Sequence, residues 1–462
     1  MPLEEITKLG ERLADFYRRF GHYFRTKTRD TSEYGMKYIS GLLRMETDRN
    51  LANVGRKTAV SGQNLQHFVS NSTWSGEEVI LGVENEVKVH PAFQEAILVL
   101  DESAEEKAGE HSAGAGRQHN GRLGKIEMSQ VGVFLALVTP NVCIWIDGEL
   151  YLPVAWLEES QAERRKTLGV PKELVFQTKP ELGWELIRRT LERQIPFQAV
   201  VMDDLYGRNE ALRQKLNEAG IEYYGDIPAN TKVYVKKPQI VHPLTKWGEP
   251  SKVAQIEGTS YEVRELRQKN DWVWQTLRLR TNERGYLEAK FARQRVWVVY
   301  GEEIRQEWLL IRQDAVQITY VLSNAPETID LKTMAWRKTH RYLIERSNED
   351  AKDEFGWDEF QTRKYRAWKH QLALTILASW FVAETRLDWQ KRFPPNLDLL
   401  VEYDVDVLPR LSVANVRELL RASMPLPQLS PDEAAELVVS HLVNRTRSRK
   451  SRLRHREVSS NV

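Results

Sequence analysis

One cysteine in 462 residues, Cys143, excludes an intrachain disulfide and any zinc cluster built on cysteine, and it suits a reducing compartment. No stretch approaches the ~18 consecutive apolar residues of a membrane-spanning helix. The N-terminal segment is charged and aromatic, without the apolar core of a secretory signal. A soluble, cytoplasmic protein with no membrane partner is expected. The phosphate-cradling GxxxxGK[ST] pattern and HExxH are both absent, and the ten histidines show no metal-ligand spacing. Few competing enzyme signals remain. Net charge is scarce too: 67 Lys and Arg face 65 Asp and Glu, a balance of +2 that by itself says nothing about nucleic acid. The distribution says more. The segment RTRSRKSRLRHR, residues 445 to 456, carries seven Lys or Arg, and residues 445 to 462 hold one acid, Glu457, leaving 60 basic against 64 acidic residues elsewhere.

At this length two to three domains are expected. Residues 1 to about 90 read as helices, because Leu13, Phe16, Tyr17 and Phe20 recur at helical spacing, Tyr38, Leu42 and Leu43 repeat it, and Asn64 to Val69 opens a third segment. Arg18, Arg19, His22, Arg25, Lys27 and Arg29 interleave with these positions. They form a basic face that could lie along DNA phosphates or could simply be solvated. From 91 to 225 the pattern changes. An apolar run at 96 to 100 predicts a buried strand, followed by a glycine-rich polar loop at 108 to 124 and strands at 131 to 138 and 142 to 146. A helix at 179 to 194, a strand at 198 to 202, a helix at 208 to 219 and a short strand at 222 to 224 complete a β-β-β-α-β-α-β order. This is the order of the ribonuclease-H fold, in which the first and fourth strands are neighbours. Residues 226 to 327 read as a strand-rich insertion packed beside that sheet. Helices are expected at about 328 to 352 and 358 to 385, closing the catalytic part at 385. Residues 386 to 462 read as mostly connection up to 432, interrupted by a helix at 413 to 422, then a last helix from Pro431 into the basic tail.

Three acids stand out on this α/β frame. Asp101 ends the first apolar strand, Asp203 ends Ala199-Val200-Val201-Met202, and Glu345 lies in the helical segment His340 to Glu345. Neighbouring strand ends would bring Asp101 and Asp203 together. An Asp at a strand end is also a common turn former or helix N-cap. Phosphodiester cleavage needs an acidified water, a stabilised leaving oxygen and neutralised charge at phosphorus, which two divalent ions about 3.5 to 4 Å apart supply. Mg²⁺ prefers carboxylate oxygens and keeps several waters, so three carboxylates plus a substrate phosphate suffice, and Mn²⁺ could substitute. Asp101 would bridge two ions per site, with Asp203 and Glu345 each completing one. Arg341, Glu345 and Lys352 form R-x3-E-x6-K, a spacing that lets all three share a helix face. The plainer reading is a surface i to i+4 ion pair worth a few tenths of a kcal/mol.

Several longer segments, in order along nearly the whole chain, resemble DDE-type transposases of bacterial insertion sequences, in the DDE superfamily endonuclease group. They include VLDES (99 to 103), IDGELYLPVAW (146 to 156), VFQTKPEL (175 to 182), VMDDLYGRN (201 to 209), YVLSNAP (320 to 326) and RYLIERSNEDAKDEFGWDEFQTRKYRAWKH (341 to 370). LYLP, TKPEL and YGRN are far more specific together than any lone acid. The resemblance implies that the family's two aspartates fall on Asp101 and Asp203 and its glutamate on Glu345, with Arg341 and Lys352 completing the signature shared with cut-and-paste transposases. Asp204 is the neighbour of Asp203, and Glu349 and Glu354 are alternatives for the third ligand. The family often has a tyrosine three residues before the signature arginine, where this chain has Lys338.

The resemblance further implies a protein that binds the terminal inverted repeats of its own element, frees the ends and joins the 3′ hydroxyls to target DNA. Pairing two ends implies a dimeric synaptic complex, on DNA in the nucleoid. DNA contacts are expected from Arg18, Arg19, Arg25 and Lys27, from Arg117, Arg122 and Lys125 in the glycine-rich loop, and from Arg445, Arg447, Arg449, Lys450 and Arg452 in the tail. A catalytically inactive or domesticated DNA-binding protein of the same fold is the alternative. Intact Asp101, Asp203 and Glu345 argue against it.

Overall fold

The computed structural model describes residues 2–459 except 122, 245, 246, 248, 270, 283, 284, 395, 396, 403, 406–409 and 429. The chain opens with helices α1 (Leu3–Thr7), α2 (Leu9–Phe20), α3 (Ser32–Arg44), α4 (Leu51–Lys57), α5 (Gly62–Ser70) and α6 (Gly76–Val89). In α2 the apolar stripe Leu9, Leu13, Phe16, Tyr17 and Phe20 is buried, as its spacing requires. These helices share one continuous hydrophobic cluster with the sheet that follows, so residues 1 to 90 have no core of their own.

The sheet holds β1 (Ile97–Glu106), β2 (Gly116–Asn120), β3 (Lys125–Val138), β4 (Cys143–Leu150), β5 (Val200–Met202) and β6 (Tyr223–Ile227), with helices α7 (Ala162–Leu168), α8 (Lys179–Glu192), α9 (Asp204–Gly207) and α10 (Glu210–Glu218) between them. The first strand pairs in parallel with β5, Leu100 opposite Met202, and antiparallel with β3, Asp101 opposite Phe134. β5 pairs in parallel with β6, Met202 opposite Gly225. Ile97 to Leu100 are fully buried because helices cover both faces, which is why this strand reads as an unbroken apolar run. Part of the expected glycine-rich loop is β2, a hairpin arm on β3.

The remaining strands are β7 (Lys232–Tyr234), β8 (Gln239–Val241), β9 (Gln255–Glu257), β10 (Ser260–Glu262), β11 (Gln275–Asn282), β12 (Gly285–Tyr300), β13 (Glu303–Gln313) and β14 (Ile318–Ser323), with α11 (Val263–Lys269) among them. They were expected beside the sheet, but most lie within it. β14 pairs with β6, and the order runs β10-β7-β12-β13-β14-β6-β5-β1-β3-β2, with β11 on β12 and β4 on β3. Only β8 and β9 form a separate pair among the described strands. Backbone groups on the edge of β6 away from β5 are satisfied by β14.

The C-terminal part comprises α12 (Leu331–Thr339), α13 (Tyr342–Glu349), a π-turn at Asp350–Glu354, α14 (Tyr365–Arg392), α15 (Leu397–Glu402), α16 (Val413–Ser423) and α17 (Pro431–Ser459). Two expectations need correction here. The helix expected at 328 to 352 is broken at His340 and Arg341, and the helix expected to end at 385 runs on to Arg392. The extension is held by packing: Leu387 and Trp389 are buried, and Asp388 takes the Arg12 guanidinium at 2.7 Å. Gly183 on α8 leaves room for the Leu100 side chain, which a Cβ would meet at 2.5 Å. Arg341, just before α13, interacts with Asp101. Leu100 and Asp101 point to opposite faces, so α8 and α13 flank the sheet on opposite sides.

Candidate active site

Three acids lie side by side on neighbouring parallel strands: Asp101 in the middle of β1, where its pairing with β5 stops, Asp203 just after β5 and Asp226 on β6. Burial, then the neighbouring Asp203 carboxylate, pushes the Asp101 carboxyl up to about 8. Asp203 is raised as well, by burial first and by Glu102 next. Its side chain also accepts from Leu205 N at 3.0 Å and Tyr206 N at 3.3 Å, capping α9. Capping α9 and facing Asp101 are thus compatible for one side chain. Asp204 faces elsewhere, paired with Arg208 one helical turn on.

Other family-like segments converge on the same point. Lys179 of TKPEL pairs with Glu102 of VLDES at 2.9 Å and lies 5.8 Å from the ring of Tyr151 in LYLP. Tyr206 of the YGRN segment is fully buried beside Glu102 and Asp101. Gly207 packs so closely on β6 that a Cβ would lie 2.1 Å from the Asp226 carbonyl oxygen. Short, distant motifs meet here because each forms an end of a neighbouring strand or the start of a helix.

Arg341 faces these acids. Burial disfavours its charge, but Glu345, Asp226, Asp101 and Asp203 together raise its pKa above the ordinary arginine value. Its guanidinium donates to Glu345 at 2.6 Å and sits 3.8 Å from Asp226. Lys338, 4% exposed, ion-pairs with Asp226 at 2.7 Å, and burial lowers its pKa. The unusual lysine thus has a dedicated acid. Sequence reading missed Asp226 as its partner, although Asp226 ends a strand-forming run as Asp101 and Asp203 do.

The structure brings Asp101 and Asp203 together and leaves Glu345 on Arg341, with its side chain 54% exposed. Among the described residues no three His, Cys, Asp or Glu side chains are grouped as a metal cluster. The alternatives are engaged too: Glu349 with Arg346 and Glu354 with the buried Arg417. Lys352, beyond the end of α13, has its own acid. The π-turn changes its phase, and it pairs with Glu105 at 3.0 Å near the far end of β1. Asp101 and Asp203 nevertheless fit a divalent cation: they are hard oxygen donors, buried, and their mutual repulsion would be relieved by positive charge.

The expected DNA contacts are dispersed. Arg18 pairs with Asp15, Arg19 with Glu384 and Glu86, and Arg25 with Asp30, so much of the N-terminal basic face is spent on internal pairs. Lys27 and Arg117 are exposed, and Lys125 pairs with Glu127. Arg445, Arg447, Arg449 and Lys450 are exposed on α17. Arg122 and the side chain of Arg452 lie outside the described residues. Among the described residues no helix is long and apolar enough to cross a membrane.

The probable transposase for insertion sequence element IS701 of Microchaete diplosiphon is 29% identical over 193 residues, 40% of this chain and 45% of that protein. The match therefore spans less than half of the relative's length. A profile of the family described as DDE superfamily endonuclease matches residues 15–285, which include Asp101 and Asp203 but not Glu345. The chain belongs to the DDE superfamily endonuclease family.

Proposed function

We propose that this chain is an insertion-sequence transposase that binds the terminal inverted repeats of its element, cuts at their ends and joins them to target DNA. The observation that carries the reading is the buried, mutually repelling pair Asp101 and Asp203 on adjacent parallel strands, in a chain of this family. The proposal includes a ribonuclease-H-like core formed by residues 91–225 and 328–385, with 226–327 as an extension of its sheet. Residues 1–90 and 386–462 would serve DNA binding, and a dimer would pair two ends in the nucleoid.

Asp101 and Asp203 would hold Mg²⁺ or Mn²⁺, two ions per site, with Glu345 as third ligand. Bound cations would neutralise phosphate charge and acidify the attacking oxygen. In cleavage a water oxygen attacks phosphorus and loses a proton, the bond to the 3′ oxygen breaks, and that oxygen takes up a proton. In joining, the freed 3′ hydroxyl attacks a target phosphodiester in the same way. The chain's own contribution is positioning and charge. Arg341 offers a planar fork for a phosphate. A phosphate that takes over this guanidinium frees Glu345 to turn toward Asp101 and Asp203. The Lys338–Asp226 pair ties the end of α12, just before Arg341, to β6, the neighbour of β5.

The test is cleavage and strand transfer on labelled DNA bearing the element's terminal repeats, with Mg²⁺ or Mn²⁺. Wild type should cut at the ends, and Asp101→Ala, Asp203→Ala and Glu345→Ala should bind without cutting. Binding of the ends by wild type with no cutting under any metal would instead favour a regulator of the same fold.

A further inference from the structure

A second charged feature lies away from the carboxylates. Two adjoining cavities of about 790 and 350 Å³ form a trough between the end of α5, helix α7 and the segment leading into α14. Arg164, Lys166, Arg363, Lys364 and Arg366 line it, against one acid, Glu163. Arg164 is held in place, its guanidinium over Trp156 at 4.1 Å and donating to Gln161 at 3.1 Å. Among the described residues Lys364 and Arg366 donate to the side-chain and backbone oxygens of Asn71, and Lys166 is 4.0 Å from Glu163. Positive charge here greatly exceeds its local compensation.

Two further observations point to an anion in this trough. The hydroxyl of Thr362, a residue 6% exposed that lines the cavity, is buried without a hydrogen-bond partner among the described residues. The 28-residue helix α14 starts here with Lys364 at its N-cap position and no side-chain cap, so its positive end adds to the charge of the trough. The trough is also tied to the β1 side of the candidate site. Arg363 O accepts from Ala113 N at 2.8 Å, and Lys107, which follows β1, donates to Phe360 O at 3.4 Å. Six residue steps of extended chain, a span of at most about 20 Å, lead from Asp101 to Lys107.

We infer that this trough binds the sugar–phosphate backbone of duplex DNA flanking the position held at Asp101 and Asp203. The inference rests on the DNA-acting reading above and adds a contact surface to it. Phosphate contacts of this kind carry no sequence information, so a duplex of arbitrary sequence is a sufficient probe. The test compares full-length wild type with the triple variant Lys166→Ala, Arg363→Ala, Lys364→Ala, all at exposed positions. Binding to a 30-base-pair duplex is measured from 0.1 to 0.5 M salt, with thermal melts to verify that both proteins fold.

Loss of three phosphate contacts should lower the slope of log K against log salt by about 2.7, at about 0.9 per contact. The same loss should weaken binding roughly 100-fold at 0.15 M salt, with the difference narrowing as salt rises. Equal slopes and affinities for two folded proteins would overturn the trough as a DNA surface while leaving the active-site proposal intact. Absence of salt-dependent duplex binding by wild type would remove DNA as the partner and take both readings with it.

Discussion

Asp101→Asn should make the metal-free protein more stable, and more so as pH rises. The Asp101 carboxyl is buried and raised to about 8, from an ordinary value of 3.8. A carboxyl raised by folding binds a proton in the native state that the unfolded chain has already released. Stability therefore declines as pH rises between the two values, by up to about 1.4 kcal/mol per pH unit. Between pH 5 and 8 this one group should cost the wild type on the order of 4 kcal/mol that the Asn variant does not lose. The amide keeps an oxygen able to accept from Glu102 N, as Asp101 does at 2.9 Å, so that hydrogen bond survives. The assay is urea unfolding of both proteins in EDTA at pH 5 and pH 8. Adding Mg²⁺ at pH 8 should narrow the gap, because binding to the native state stabilises it by mass action. An unfolding free-energy difference between the two proteins that is the same at both pH values would refute the reasoning.

Three other outcomes follow from the same geometry. Lys338→Met leaves Asp226 without its buried partner and should cost about 3 to 5 kcal/mol in unfolding free energy, with Lys338→Met/Asp226→Asn recovering most of it; two additive losses would show that the pair is not coupled. Gly207→Ala places a Cβ against backbone at 2.1 Å and should destabilise by about 3 kcal/mol, whereas Gly183→Ala meets only the Leu100 side chain and should cost about 1 kcal/mol; equal thermal shifts would contradict the contrast. Arg341→Ala frees Glu345 but removes the cation nearest Asp101 and Asp203. It should reduce end cleavage by at least about 100-fold while changing duplex affinity little, and a proportionate loss of binding would reassign Arg341 to general DNA contact.

The strands that carry Asp101 and Asp203 were legible because burial on both faces writes an unbroken apolar run, and the helix starting at Lys179 was legible from Thr178-Lys179-Pro180-Glu181, a capping box with proline in its first turn. The rest of the sheet was harder to read. Aromatic and β-branched runs such as Val296 to Tyr300 announce strands but not their neighbours, so the pairing of β14 with β6 could not be read from composition. Local geometry also escaped. R-x3-E-x6-K fits one straight helix, but the break at His340 and Arg341 and the π-turn at Asp350 send Lys352 to Glu105. The trough shows the same limit, since Arg164, Lys166 and the residues 363 to 366 are remote in sequence and each is unremarkable alone.

Calorimetric titration of Mn²⁺ into the metal-free protein at pH 7, in two buffers of different ionisation enthalpy, tests the central claim most directly. Wild type should bind Mn²⁺ and release about one proton per site, because Asp101 must give up the proton it holds below about 8. Asp101→Asn and Asp203→Asn should lose both the binding and the release. Binding by either variant that matches wild type in affinity and proton count would show that these two carboxylates are not the metal site.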